Sequence, residues 1–212
     1  MHARTCLLAA GALAAGLWAP RPALAMGVLE GFYGISRPPG TSFHSAVEGA
    51  EDNPHLFKDS LQDAGGDLLL DFNGPLEIGA IADQTWASHS ASQTALGGLL
   101  GLRLKLGLVR VDLLGEAGGH RYGGFTQNDD IAGSESSERW FAYLGLRPGI
   151  AFHFGPPDSP GLLLGVWTFA RWDLTSHRMP VTVRGAGDTL EDGTVRLGGT
   201  SIGATLRAGV EF

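Results

Sequence analysis

In the stretch "WFAYLGLRPGIAFHF", from Trp140 to Phe154, every second residue belongs with its alternate neighbours and not with the residues beside it. Trp140, Ala142, Leu144, Leu146, Pro148, Ile150, Phe152 and Phe154 fall on one face. Phe141, Tyr143, Gly145, Arg147, Gly149, Ala151 and His153 fall on the other. A period of two is the period of a β-strand, and it constrains this chain more than any other feature because it recurs almost throughout. In "LLGLRLKL", Leu100, Leu102, Leu104 and Leu106 oppose Gly101, Arg103 and Lys105. In "VRVDLLGEA", Val109, Val111, Leu113 and Ala117 oppose Arg110, Asp112, Leu114 and Glu116. In "LLLGVWTFARWDL", Leu162, Leu164, Val166, Thr168, Ala170, Trp172 and Leu174 oppose Leu163, Gly165, Trp167, Phe169, Arg171 and Asp173. The last residues put Ile202, Ala204, Leu206, Ala208, Val210 and Phe212 opposite Ser201, Gly203, Thr205, Arg207, Gly209 and Glu211.

This reading gives eight strands, at 26–36, 67–73, 75–87, 97–107, 109–122, 139–154, 161–176 and 196–212. Asn73-Gly74 is a strong hairpin signal, because a type I′ turn needs positive φ at both central residues. A second two-residue turn falls near Gly107-Leu108, and "GPPDSP" joins the sixth and seventh strands. The remaining connections, 37–66, 88–96, 123–138 and 177–195, are longer. Within the first of them, "EDNPHLFKDSLQDAGG" reads as a short helix, capped at Asn53 and stopped by Gly65-Gly66. Short turns at one rim, long connections at the other and an even strand count are the layout of a transmembrane barrel. The expected fold class is all-β: an eight-stranded antiparallel up-and-down barrel with a polar filled interior.

Charge decides which face is outside. Glu30, Asp71, Glu77, Asp83, Arg103, Lys105, Arg110, Asp112, Glu116, Arg147, Arg171, Asp173 and Arg207 all fall on the non-aliphatic faces. The two signs nearly balance, so a lumen can pair them. On a lipid-facing wall each Arg or Lys at mid-depth costs about 2–4 kcal/mol. Alternation alone also suits a soluble periplasmic ligand-binding barrel with its apolar face inward. The aromatics argue for the membrane. Tyr33, Trp86, Trp140 and Trp172 gather on the apolar face toward the long-connection rim, and Phe72, Phe154 and Phe212 toward the short-turn rim. Two aromatic girdles around an aliphatic band match two membrane interfaces.

The first residues fit the same destination. Arg4, an apolar run from Leu7 to Trp18 and the small-x-small site Ala23-Leu24-Ala25 form the pattern of a secretory signal peptide over 1–25. The run is shorter than the roughly 20 residues of a spanning helix. Cleavage leaves a single domain, 26–212. It removes Arg4 and Arg21 and no acid, which moves the formal charge from −7 to −9. Cys6, the single cysteine, goes with it, so no disulfide is expected. An acidic chain without a basic cluster argues against nucleic acid.

The layout resembles the small eight-stranded outer-membrane barrels: the transmembrane domain of outer membrane protein A and the outer membrane protein X and W types. The terminal "LRAGVEF" is similar to the C-terminal signal read by barrel-assembly machinery in such proteins, with Leu206, Ala208, Val210 and Phe212 on the outward face. The resemblance implies a Gram-negative outer membrane reached through the periplasm, contact with membrane lipid and lipopolysaccharide, and a monomer. It implies a structural or surface-interaction role for the outer loops, with no external partner specified.

A narrow gated channel is a further reading of the charged lumen. Eight strands enclose a space only just wide enough for side chains to fill. Arg103, Lys105, Arg110, Asp112, Glu116, Arg147, Arg171 and Asp173, with Phe141, Tyr143, Trp167 and Phe169, are expected to plug it as a polar network. A lipid-modifying enzyme is another reading, but neither His153 nor His177 has a serine two positions on, so no catalytic residue is assigned. His44, His55, His89, His120 and His177 lack i, i+2 or i, i+4 pairing and read as solvated histidines, so no metal or cofactor is expected. The acids Glu48, Glu51, Asp52, Asp59, Asp63, Asp129, Asp130, Glu135, Glu138, Asp188, Glu191 and Asp192 read as loop residues that share divalent cations with lipopolysaccharide phosphates or simply stay solvated.

Overall fold

The computed structural model describes residues 26–37, 43–45, 61–71, 74–86, 92–123, 131–134, 140–156, 159–184 and 190–212. Twelve strands and no helix lie among them: β1 (Met26–Arg37), β2 (Phe43–Ser45), β3 (Leu61–Asp71), β4 (Leu76–Trp86), β5 (Ser92–Leu106), β6 (Val109–Gly123), β7 (Ile131–Ser134), β8 (Trp140–Phe154), β9 (Gly161–Asp173), β10 (His177–Arg184), β11 (Leu190–Leu197) and β12 (Thr200–Glu211). Eight of these close an antiparallel barrel in the order β1-β12-β9-β8-β6-β5-β4-β3, with β3 pairing back onto β1. Closure leaves no sheet edge, the condition for strands to cross a membrane with every backbone group paired. The seam between the first and last strands extends to the final residue. Gly27 N–H donates to Phe212 O and Phe212 N–H to Gly27 O, both at 2.8 Å.

The period-two faces take the expected sides. Leu104, Leu144, Ile150, Leu164 and Leu206 stand exposed on the outer wall, while Arg103, Arg147, Trp167, Arg171 and Arg207 are buried within the barrel. An aliphatic exterior running around the whole wall far exceeds the few hundred Å² that a soluble monomer exposes. Hydrocarbon satisfies that wall; water does not. A soluble carrier with an apolar lumen requires the opposite orientation.

Local chemistry explains where strands turn and interlock. Gly107 has φ +66° and makes the tight β5–β6 turn. Pro148 has no N–H to give, and the β8–β9 ladder stops at Leu146–Ala170 and resumes at Gly149–Trp167. Gly149 also makes room: a Cβ there falls on the Trp167 indole.

Two sequence expectations are corrected. The helix ending at Gly65-Gly66 does not form over its described part, since Leu61–Asp71 is a barrel strand. Its first half, 51–60, lies outside the described residues. The two glycines are a packing device: a Cβ on Gly65 stands 2.6 Å from Phe32 Cζ. The long connections are not loops throughout. Segments of three of them form a second antiparallel sheet, in the order β2-β11-β10-β7. β10 continues the chain beyond β9, and β11 leads into β12 through Gly198 (φ +95°) and Gly199 (φ +147°), a bend that favours residues without a Cβ. Pro180 sits one residue outside the stretch of β10 that pairs with β7, where its missing N–H breaks no bond to β7.

Gly149→Val is expected to lower barrel stability by about 1–3 kcal/mol through overpacking against Trp167. Gly74→Ala, where a Cβ meets nothing within 4 Å, is expected to stay within about 0.5 kcal/mol. Urea midpoints in lipid vesicles check both.

Candidate functional site

The site is the filled lumen. Its charges are sorted by strand. The inward-facing charged residues of β1, β3 and β4 are all acids: Glu30, Asp63, Asp67, Asp71, Glu77 and Asp83. The inward bases all stand on the other strands: Arg103 and Lys105 on β5, Arg110 on β6, Arg147 on β8, Arg171 on β9 and Arg207 on β12. An acidic wall therefore faces an arc that holds all the bases together with Asp112, Glu116, Asp173 and Glu211, and the charges pair both between neighbouring strands and across the lumen.

The pairs form tiers along the barrel axis. Nearest the short-turn rim, Lys105 Nζ lies 3.0 Å from Asp71 and 3.1 Å from Glu211. Arg110 donates to Glu211 at 3.4 Å and to Gly107 O at 2.6 Å. The next tier is a chain of four buried ion pairs. Glu77 meets Arg103 at 2.9 Å, Arg103 meets Asp112 at 2.5 Å, Asp112 meets Arg207 at 2.5 Å and Arg207 meets Glu30 at 3.3 Å. Trp167 Nε1–H donates to Glu30 at 3.0 Å, and Arg207 lies over the indole at 3.9 Å. The third tier joins Arg171 to Asp83 and, at 2.6 Å, to Glu116. Arg147 meets Glu116 at 3.5 Å, and Tyr143 O–H donates to Glu116 at 2.6 Å. Arg147 and Arg171 also sit over the Phe169 ring, at 5.3 and 4.7 Å.

Asp173 ends the stack at the long-connection rim. Tyr122 O–H donates to it at 2.7 Å, His120 Nδ1 lies 2.9 Å away, and Gly199 N–H donates at 3.2 Å. His120 is buried and stacked on Tyr143 with ring centroids 4.1 Å apart, so the expectation of a solvated histidine is corrected for this residue. Asp63 is likewise no loop acid: it is buried and accepts a hydrogen bond from the Thr85 hydroxyl at 3.4 Å. His55, His89 and most of the acids read as loop residues lie outside the described residues; Asp192 is exposed and accepts from Thr182 at 2.7 Å.

The structure thus brings all eight expected network residues into one connected lumen, together with partners the sequence reading passed over. Glu211 and His120 keep the inward parity of their strands and were open to detection on that ground. Asp63 was hidden by the helix reading, whereas Asp67 opens the strand read at 67–73 and shares the inward parity of Asp71. Trp140 and Trp172 stand exposed on the outer wall at their strand ends, and Phe154 at the opposite rim. Trp86 is half-buried at the end of β4. Tyr33 pairs with Leu206 and Ala64, farther in from the rim than expected. Phe212 packs its ring against Gly27, 2.7 Å from where a Cβ stands on that glycine; Phe72 and Asn73 lie outside the described residues. Leu206 and Ala208 face outward, while Val210 and Phe212 are half-buried at the seam. Among the described residues no group of three or more His, Cys, Asp or Glu is arranged to hold a metal ion.

A closed eight-stranded antiparallel barrel, aliphatic outside and filled by paired charges inside, is the fold of the small outer-membrane barrels. The fold comparison agrees. Neisserial surface protein A, from Neisseria, superposes with a TM-score of 0.52 at 13% identity, over 89% of this chain and 99% of that one. Outer membrane protein AlkL gives 0.39 at 13% identity, over 92% and 94%. The attachment invasion locus protein Ail of Yersinia pestis gives 0.35 at 13% identity, over 85% and 98%. No family model matches the sequence, and no curated protein matches it.

Arg171→Leu takes its nearest base from Asp83 and one of two bases from Glu116, leaving both on Arg147 alone, and is expected to cost about 3 kcal/mol. Adding Asp83→Leu is expected to recover part of that loss. A single substitution that moves the unfolding midpoint no further than Gly74→Ala contradicts the assigned role.

Proposed function

We propose that the protein is an outer-membrane barrel whose role is mechanical and presentational: a plugged anchor that holds the β2-β11-β10-β7 sheet outside the membrane. One observation carries this reading. The lumen is occupied through its depth by fully buried large side chains, Trp167, Arg110, Arg147, Arg171, Tyr122 and Tyr143, each held by an inward acid: Glu30, Glu211, Glu116, Asp83 and Asp173 among them. A barrel of eight strands has no further width for a solute path once these are in place. What varies along the axis is the long-connection end, where the chain invests in a second sheet.

Asp173 supports the presentational half of the reading. It belongs to the barrel strand β9, yet it binds Gly199 N–H at the bend where β11 turns into β12. Asp173 N–H in turn donates to Gly199 O at 2.8 Å. The outer hairpin is therefore pinned to the top of the lumen network at its root. Export through the periplasm, insertion by assembly machinery through the outward residues Leu206, Ala208, Val210 and Phe212, a monomeric state and the absence of enzymatic activity belong to the same proposal.

In planar lipid bilayers the wild-type protein is expected to give no conductance steps, and Arg147→Gly with Arg171→Gly to open a small one. Steady wild-type conductance returns the gated-channel reading. Asp173→Ala removes hydrogen bonds to a charged group, each about 1.5–3 kcal/mol. It is expected to speed amide exchange across 177–197 at least tenfold, while β8 exchanges as before. Equal exchange in both proteins contradicts the pinning role.

A further inference from the structure

The chain is acidic, with a formal net charge of −7, and most of its described bases are spent inside the barrel. Among the described side chains the exposed bases are Arg37, Arg178 and Arg196. They are not scattered. Arg37 ends β1, Arg178 lies on β10 directly after β9, and Arg196 lies on β11 directly before β12. β9, β12 and β1 are consecutive in the barrel wall, so all three bases sit above one seam at the long-connection rim.

Two of them are placed against each other. Arg178 and Arg196 are direct cross-strand partners, and both are exposed. Residues directly opposite have Cβ atoms about 5 Å apart, and like charges so placed destabilise the sheet. Neither has an acid partner among the described residues. An anion between two guanidinium groups reverses that repulsion, and phosphate offers oxygens enough to meet both forks.

Below this pair the outer wall carries a groove of about 460 Å³. Its sides are the outward-facing Ile35, Arg37, Thr168, Ile202 and Ala204, and its floor is the strand wall at Ser36, Phe169 and Gly203. The register explains the depression. Ala204 pairs with Ile35 on one side and with Thr168 on the other, so a small residue is bracketed by larger ones. An apolar groove on the membrane wall, with an arginine in its lining and two more toward the outside, has the chemistry of a lipid: acyl chain below, phosphate above. Arg37 pairs with Ile202, and Arg196 lies six residues before Ile202 in the chain. At about 3.3 Å per residue this is at most about 20 Å. A sugar headgroup bearing more than one phosphate can meet both positions over a span up to that length.

We infer that the β9–β12–β1 seam binds a phosphorylated, multi-acyl glycolipid of the leaflet on the long-connection side, one acyl chain in the groove and its phosphates on Arg37 and the Arg178–Arg196 pair. The inference rests on the outer-membrane reading above, since that leaflet supplies such a lipid.

The test uses the full mature chain refolded in detergent, with diphosphorylated hexa-acyl lipid A as the probe and native mass spectrometry as the readout. Unboiled electrophoretic mobility reports the barrel separately. Wild type is expected to retain the lipid, with binding about fivefold weaker for each of Arg37→Ala, Arg178→Ala and Arg196→Ala. Ala204→Trp, which fills the groove, is expected to weaken it as well, with mobility unchanged in all four. Equal binding by folded wild type and variants overturns the site and leaves the barrel reading intact. Equal binding of dephosphorylated lipid A, or of phosphatidylglycerol, overturns the assigned chemistry. A chain that shows no heat-dependent shift overturns both the site and the reading it rests on.

Discussion

The structure depends on the pairing of six inward bases with the acids of the acidic wall and with Asp112, Glu116 and Glu211 inside one lumen. β1, β3 and β4 bring inward only acids; Arg103 and Arg207 meet Glu77 and Glu30 from the neighbouring strands β5 and β12, and Arg147 and Arg171 reach Asp83 from across the lumen. Neither half is acceptable alone. The acidic strands repel one another at Glu30–Asp67 and at Asp71–Glu77, which are direct cross-strand partners. Lys105 and Arg110 are a like-charged pair on the other side, held by Glu211 between them. Closing the barrel converts these repulsions into attraction. It also leaves the aliphatic faces outside, where lipid is their only suitable neighbour. Charge sorting and membrane wall are therefore one design seen from its two sides.

Much of this was legible from periodicity. A strand shifted by one residue exposes every charge, so alternation fixes inside from outside wherever charge and leucine alternate cleanly. The faces of β5, β6, β8, β9 and β12 follow from that rule residue by residue. The rule fails where other signals overlay it. Asn53-Pro54 and Gly65-Gly66 resemble helix start and stop signals, and they mask the inward residues Leu61 and Asp63. The glycines there serve tight contact with Phe32, which a single strand cannot reveal. In 177–184, Pro180 argues against a strand, yet it lies one residue outside the stretch that pairs with β7. The second sheet joins connections distant in sequence, and that pairing has no local signature.

The lumen network itself was only half legible. Parity gave its members, but not its order into tiers or its choice of partners. Glu116 takes Arg147, Arg171 and Tyr143 together, and Asp173 gathers Tyr122, His120 and the β11–β12 bend. These are contacts among several strands, set by barrel curvature and side-chain length. On the proposed reading they matter because they make the interior a stack that ends in a platform at the long-connection rim. The outer sheet stands on that platform, and the exposed arginines lie where the platform meets the membrane.

The central claim is the inside–outside assignment of the wall. Single cysteines along Trp140–Phe154, spin-labelled in lipid vesicles, test it through collision with oxygen and with a water-soluble nickel chelate. The account predicts oxygen access with period two, high at Ala142, Leu144, Leu146, Ile150 and Phe152 and low at Phe141, Tyr143, Arg147 and His153. High oxygen access at the second set, or no alternation at all, contradicts the account.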